Sequence, residues 1–417
     1  MDTQLKHNPK EKITSNYYII LVMAFLLPLA VDPFLIIYNA FILPKRLVLY
    51  LGVAVLIALK PEKLKEVPWY LQLLIALNVL SLFYTWNPYY TKVAAVLNIS
   101  CYLVMFFVID AINKERLPLL MWAIAVSGLI IAVYCFFQYF GEDVIFKWNQ
   151  QEDFAAVGTI GNTNYLGFYL IFPLFAMIGL SLHHKSRFSI IGIAVLFIMF
   201  LLAKARASWV SFSVGMIVFI YVYPPIREKI KPLILAVLAG IFVIVLFVGI
   251  YDEKNDFYME HKDLLKVETI KYRVKKYVPG AVWLWKQNPF FGVGLWSYRK
   301  AVYEAQAQIE KESPGFFADY DLPKPRRVHC DYLEVLVDGG IVMAIAMVIL
   351  FWTVISHGIK LYRYTSNPLI LACLCTILAV LVEAIFFFPF RVTSTMFMIF
   401  LTMGVIEGCY QHEFAKK

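Results

Sequence analysis

Apolar residues along the chain gather into solid blocks instead of a repeating amphipathic stripe. The blocks fall at roughly 17–38, 43–59, 68–86, 93–112, 117–140, 160–182, 187–203, 207–223, 231–251, 331–356, 368–387 and 392–410. A run of about 18 or more apolar residues is long enough to cross a hydrocarbon core of about 30 Å. The pattern therefore predicts an all-α polytopic membrane protein of about 12 transmembrane helices. Its one long hydrophilic stretch lies between residues 251 and 331. The predicted division is thus 1–251 with helices 1–9, 252–330 as a large outer loop with amphipathic helices, and 331–417 with helices 10–12. The first block, Tyr17 to Tyr38, exceeds the roughly 7–15 apolar residues of a signal peptide, and no small-residue cleavage site follows it, so it reads as a retained span. No internal repeat or low-complexity tract appears.

Composition sharpens this picture. Hydrophobic residues make up 61% of the chain and charged residues 16%, against about 45–50% and about 25% in soluble proteins. Mean hydropathy is +0.70. The net charge of +9 would raise nucleic acid as a partner in a soluble protein. Here no folded basic domain is left over to bind it, and Lys and Arg orient helices against anionic lipid instead. Membrane lipids are the expected surroundings and no nucleic acid is expected. One set of alternating short segments, including Lys60, Lys63, Lys65, Lys114, Arg116, Arg227, Lys229, Lys360 and Arg363, carries 17 Lys and Arg, and the other set carries 7. By the positive-inside rule the richer set is cytoplasmic, which puts both termini in the cytoplasm and residues 252–330 in the periplasm of a bacterium. Five of the 6 cysteines lie in apolar blocks, so no disulfide framework is available. Cys373 and Cys375 read as packing or lipid-facing thiols, not metal ligands.

Several cations break the positive-inside pattern. Lys45, Arg46, Lys204, Arg206 and Arg391 lie against outer helix ends. Each could snorkel to head groups or pair with Asp32 or Glu383. Taken as a cluster they read as a site for an anion, most simply a lipid phosphate or diphosphate. The outer region offers more. Residues 262–278 suit an amphipathic helix, with Val267, Ile270, Val274, Tyr277 and Val278 on one side and Lys262, Lys266, Arg273 and Lys276 on the other. Such a helix lies on a membrane surface or presents a solvated charged face. Asn288-Pro289-Phe290-Phe291-Gly292-Val293-Gly294 forces a tight turn that lets backbone approach closely, and it matches neither a P-loop nor a dinucleotide fingerprint. Residues 301–312 look helical. His329 follows Arg326 and Arg327 and precedes Asp331 at the mouth of the tenth block. A lone histidine is commonly structural, but an imidazole with an unperturbed pKa of about 6.5 also suits proton transfer near neutrality. Asp331, Glu334 and Asp338 are expected to extend along their helix without meeting at one point, although Asp331 and Glu334, three apart, could share a face; no Asp-x-Asp metal motif appears on the outer side, so no metal and no cofactor are expected.

Four segments together resemble the bacterial O-antigen ligase and polymerase superfamily of membrane glycosyltransferases. Gly158-Thr159-Ile160-Gly161-Asn162-Thr163-Asn164 is similar to the family's Gly-Asn-x-Asn segment. Arg206-Ala207-Ser208-Trp209 is similar to its Arg-Gly-Ala-Trp. Arg273, with Asn288-Pro289 and Gly292-Val293-Gly294, resembles its Arg…Asn-Pro-x-x-Gly-x-Gly stretch. His329-Cys330-Asp331-Tyr332-Leu333, with Asp338 and Gly340, resembles its His-Asn-x-Tyr-Leu…Glu-x-Gly segment. Cys330, Tyr277 and Ala207 depart from the usual Asn, Trp and Gly, and none of these departures removes a charged or titratable group. The resemblance spans roughly residues 155–345.

The resemblance implies a C-type glycosyltransferase-like fold and a transfer reaction on the periplasmic face of the inner membrane. A glycan on undecaprenyl diphosphate is the donor, and an acceptor hydroxyl displaces the diphosphate with inversion and without a metal. In a ligase the acceptor is lipid A–core, in a polymerase another lipid-linked glycan, and ligation is the preferred reading. It further implies His329, Arg206 and Arg273 as catalytic residues. Lys204, Lys45, Arg46, Asn162, Asn164, Arg391 and Arg327 are the expected substrate-binding set. A transporter or flippase for an anionic lipid is the competing class. The halves show no evident repeat and no clear broken helices, which favours the enzyme.

Overall fold

A computed structural model describes residues 15–34, 36, 39–146, 156–184, 187–225, 275–318 and 327–414. Within them the chain forms α1 (Ser15–Leu29), α2 (Leu43–Leu59), α3 (Trp69–Tyr84), α4 (Pro88–Ala111), α5 (Leu117–Tyr139), α6 (Thr163–His184), α7 (Arg187–Leu202) and α8 (Arg206–Val222). After these come α9 (Val278–Gln287), α10 (Tyr298–Glu312), α11 (Asp331–Thr365), α12 (Pro368–Phe386) and α13 (Thr393–Phe414). Among the described residues there is no strand. Six helices, α4, α5, α6, α11, α12 and α13, are long and apolar enough to cross a membrane, while α1, α3, α7 and α8 are shorter apolar helices. The protein is polytopic and all-helical, as the apolar blocks predict. The ninth block, most of the amphipathic stretch 262–278, Arg273, Arg326 and Lys147 lie outside the described residues.

Element ends follow local chemistry. The first block runs to residue 38 in the sequence, yet α1 stops at Leu29. Asp32 stands before Pro33, where the proline ring disfavours helical backbone, and Asp32 Oδ1 accepts the Phe34 amide at 3.1 Å to close a turn instead. Proline opens α2, α4, α5 and α12 within their first turn, where its missing N–H costs nothing.

α13 is the axis of the bundle and is buried along nearly its whole length. It packs chiefly on α4, and two glycines one turn apart make that approach possible. A Cβ on Gly404 would stand 2.8 Å from the Met105 carbonyl oxygen, and one on Gly408 would stand 2.9 Å from that of Ile109. This small-residue stripe lets the backbones meet where lipid supplies no hydrophobic push between helices. α12 joins α13 to α8 and α6, and α11 packs across α3, α12 and α13. Ion pairs mark one end of the bundle: Lys60–Asp110 at 3.0 Å and Lys114–Glu413 at 3.1 Å. The motif residues gather at the opposite end.

Candidate functional site

The site is built where α11 breaks. Gly340 takes φ 66° and ψ −170°, which interrupts the helix. The turn 288–294 lies in this break. The Val293 amide donates to the Val337 carbonyl at 2.9 Å, the Gly294 amide to that of Asp338 at 2.9 Å, and the Ile341 amide to that of Pro289 at 2.8 Å. Gly292 (φ 69°) and Gly294 (φ 96°) sit in left-handed backbone that favours glycine. The sequence signature Asn-Pro-x-x-Gly-x-Gly and the signature Asp-x-Gly are therefore two halves of one backbone joint.

Arg391, in the 3-10 turn between α12 and α13, locks that joint. Its Nη1 donates to Asp338 Oδ2 at 2.8 Å, and its Nε lies 3.4 Å from Asp331 Oδ1 and 3.8 Å from Glu334 Oε1. Its side chain is only 4% exposed. Burial alone would make the guanidinium easier to deprotonate, but the carboxylates of Asp338, Glu334 and Asp331 outweigh it and raise the pKa above the ordinary arginine value. The expectation that Asp331, Glu334 and Asp338 spread without meeting is corrected here. At positions i, i+3 and i+7 they share one helix face, and all three turn onto Arg391. Asp331 Oδ2 also accepts the Phe390 amide at 2.9 Å, and Asp338 Oδ2 accepts the Trp296 amide at 2.9 Å.

Around this lock stands a ring of aromatic and guanidinium groups. Arg327 donates to Glu334 Oε1 at 3.0 Å and lies 4.5 Å from the Trp296 ring centroid and 5.9 Å from that of Phe388. Arg46 lies 5.5 Å from the same Trp296 ring, and its Nε reaches Thr393 Oγ1 at 3.4 Å. His329 stacks on Tyr277 at 5.5 Å and meets Phe388 edge-on at 5.1 Å. Phe387 and Phe388 stack on each other at 4.2 Å, and Tyr165 of α6 packs on both. His329 (φ 62°), Trp296 (φ 56°) and Lys204 (φ 52°) hold left-handed backbone, which is costly for side chains of this size and concentrates at functional sites.

The remaining candidates take distinct places. Asn162 caps α6, its Oδ1 accepting the Asn164 amide at 3.0 Å and the Tyr165 amide at 3.3 Å, while Asn164 is exposed. Arg206 opens α8 and is half-buried, and Lys204 just before it is exposed. Lys45 is buried, its Nζ donating to the carbonyls of Ala30, Phe41 and Thr159 at 2.7, 2.9 and 2.6 Å. All three of its donors are thus engaged with backbone, and it ties α2 to the turns before α2 and α6. Glu383, considered as a partner for the outer cations, instead accepts Ser208 Oγ at 3.0 Å and Ser211 Oγ at 2.8 Å. These serines fasten α8 to α12.

Sequence reasoning missed Trp296, Tyr165, Phe387 and Phe388, and the convergence on Arg391. The run Phe386-Phe387-Phe388-Pro389-Phe390-Arg391 carried the available signal: a proline and a lone arginine cut short an otherwise apolar span. Cys373 and Cys375 are both buried packing thiols.

The fold and this joint define a multi-pass membrane protein with a built, charge-locked site at one end of its helices. The family model described as O-antigen ligase matches residues 191–348, which reach from α7 through the long loop into α11. The match supports the O-antigen ligase and polymerase superfamily, that is, a membrane glycosyltransferase of this type. It includes Arg206, Arg273, the Gly292–Gly294 turn and His329, while the Asn162 segment and Arg391 lie outside it. No curated protein matches the chain.

Proposed function

We propose that the protein transfers a glycan from undecaprenyl diphosphate to an acceptor sugar hydroxyl, with ligation to lipid A–core as the reaction. On this reading it sits in a bacterial inner membrane with both termini in the cytoplasm, and residues 252–330 and the site face the periplasm. The observation that carries the proposal is the placement of His329. A histidine in left-handed backbone is wedged between Tyr277 and Phe388, in the same ring as Arg327 and Arg46, at the end of the bundle where Arg206 opens α8.

The acceptor oxygen bonds to the anomeric carbon, and the bond from that carbon to the diphosphate oxygen breaks with its electron pair leaving on the diphosphate. The acceptor proton passes to the His329 imidazole. Arg206 and Arg273, the latter outside the described residues, stabilise the developing diphosphate charge, since a planar guanidinium fork matches phosphate oxygens. Lys204, Arg327 and Arg46 add positive potential, and Asn162 and Asn164 line the approach from α6. Arg391 and Lys45 serve by holding the joint and the turns in place, since Arg391 is buried against three carboxylates and the three donors of Lys45 are engaged with backbone. The residues supply charge stabilisation and a base themselves, so the reaction proceeds without a divalent metal.

The deciding experiment is transfer by purified protein from a lipid-linked glycan donor, with lipid A–core and a second lipid-linked glycan offered separately. Consumption of lipid A–core, undiminished by chelator, is the expected outcome. Consumption of the lipid-linked glycan alone would make the protein a polymerase. Movement of donor across the bilayer without transfer would make it a carrier.

A further inference from the structure

Three guanidinium groups stand in the lock and the ring around it, and one has no counter-ion among the described residues. Arg391 has three carboxylates and Arg327 has Glu334, but among the described residues no carboxylate lies within ion-pair distance of Arg46. Arg46 lines a groove of about 410 Å³ between α2 and α4. Lys92 lines the same groove, and it too has no ion-pair partner among the described residues. The rest of the lining is Leu43, Leu47, Tyr50, Val93 and Val96. Leu47 is 58% exposed and Val96 51%, so these walls face outward from the bundle. Both cations stand near the N-terminal ends of their helices, which begin at Leu43 and Pro88. A soluble anion would be satisfied by the cations alone. A groove with cations at one end and apolar walls below them fits an amphiphile: a phosphate head with its chain running down toward the membrane interior.

The groove also has a definite relation to the transfer site. α2 packs on α1 and α4, whereas α8, which carries Arg206, packs on α12 and α6. The groove is therefore formed by helices other than those that seat α8, and Arg46 connects it to Trp296, on which Arg327 also lies. We infer that the α2–α4 groove seats the phosphate head of a membrane lipid and, resting on the transfer reading, that the lipid-anchored acceptor reaches the site from this side.

The test uses full-length protein in nanodiscs of phosphatidylcholine containing a minor share of phosphatidylglycerol with a photoreactive tail. After irradiation, labelled residues are mapped by mass spectrometry. Label is expected on residues 43–50 and 92–96, and it should fall about tenfold or more in the double variant Arg46→Gln/Lys92→Gln, which removes two head-group contacts. The charge-preserving pair Arg46→Lys/Lys92→Arg should keep the label, which separates loss of charge from loss of fold. Equal labelling by a photoreactive diacylglycerol, which has no phosphate, or undiminished labelling in the Gln variant, overturns the phosphate seat. Displacement of the label by inorganic phosphate overturns it as well, because the site would then take a soluble anion. In the transfer assay Lys92→Gln alone, which leaves Arg46 in place, should raise the acceptor KM several-fold while leaving the donor KM nearly unchanged, matching the ~1 kcal/mol that one basic residue contributes near a lipid head group. A rise confined to the donor KM overturns the acceptor assignment. Labelling needs no turnover, so an inactive wild-type protein would sink the transfer reading and leave the lipid seat to be judged on labelling alone.

Discussion

Arginines at one end of this bundle perform different tasks because their surroundings differ. Arg391 is buried against three carboxylates, so removing its charge strands them. Arg391→Met should cost about 3–5 kcal/mol of stability, read as a lowered unfolding midpoint in detergent. An unchanged midpoint would mean that the carboxylates find other partners. Arg206, at the start of α8, is proposed to grip a diphosphate through a planar fork. Arg206→Lys keeps the charge and loses the fork, so transfer should drop with folding intact, and full activity in that variant would refute the clamp. His329 carries the sharpest test. If it accepts the acceptor's proton, His329→Ala should slow transfer by about 10²–10⁴-fold while donor binding changes little. His329→Gln can hydrogen-bond a hydroxyl but cannot take its proton at neutral pH. Near-normal rates in Gln with loss in Ala would assign the ring to orientation, and normal rates in both would leave it a structural residue.

At the scale of elements, the joint between turn 288–294 and the α11 break is the feature on which the site rests. A Cβ at Gly340 would run into the Phe290 backbone, and the φ of 66° is itself strained for any other residue. Gly340→Ala should therefore cost about 2 kcal/mol or more and release the loop to proteolysis. Gly315 is the control: its φ is 85°, but nothing lies within 4 Å of its missing Cβ, so Gly315→Ala shows the backbone cost alone. Equal losses in the two variants would argue against the joint. The two glycine motifs were legible in the sequence as places of tight turning and close approach. That they clasp each other was not, because the partners lie some fifty residues apart and the clasp is made by backbone atoms common to every residue. Each apolar block within the described residues marks a helix, since a run of lipid-compatible residues is a local property, but α1 stops at Leu29 well short of the first block's end and α11 runs on to Thr365 past the end of the tenth. The convergence of Asp331, Glu334 and Asp338 on Arg391 escaped because helix spacing places the three carboxylates on one face but says nothing of a guanidinium arriving from beyond the next span. Trp296 and Phe388 escaped for a similar reason: an aromatic residue in an apolar chain looks like core until its cationic neighbours are seen.

For the whole molecule, the unequal distribution of Lys and Arg predicts one orientation. Cysteines placed at Lys63 and Lys229 should react with a membrane-impermeant reagent only from the cytoplasm, and one at Glu310 only from outside. Labelling at position 310 from the cytoplasm alone would invert the topology and with it the proposed periplasmic reaction. The ion pairs Lys60–Asp110 and Lys114–Glu413 stand at the end away from the site, so the predicted cytoplasmic end is rich in mutually neutralised charge, whereas the site end holds Arg46 and Lys92 without described counter-ions.

The position of Arg391 in the chain sets an order of events during synthesis. Asp331, Glu334 and Asp338 leave the ribosome some fifty to sixty residues before the one cation that neutralises all three. Until Arg391 arrives the tenth block must enter the bilayer with Asp331 and Asp338 protonated or held near water, Glu334 alone having the earlier Arg327 as a partner, and the 288–294 turn has only half a clasp. Maturation of the site is thus delayed until α12 has been threaded and the chain has turned back toward α13. A chain stopped at Phe388 would carry His329, Arg206 and every other motif residue and still present an open loop, the kind of surface that membrane quality-control proteases recognise.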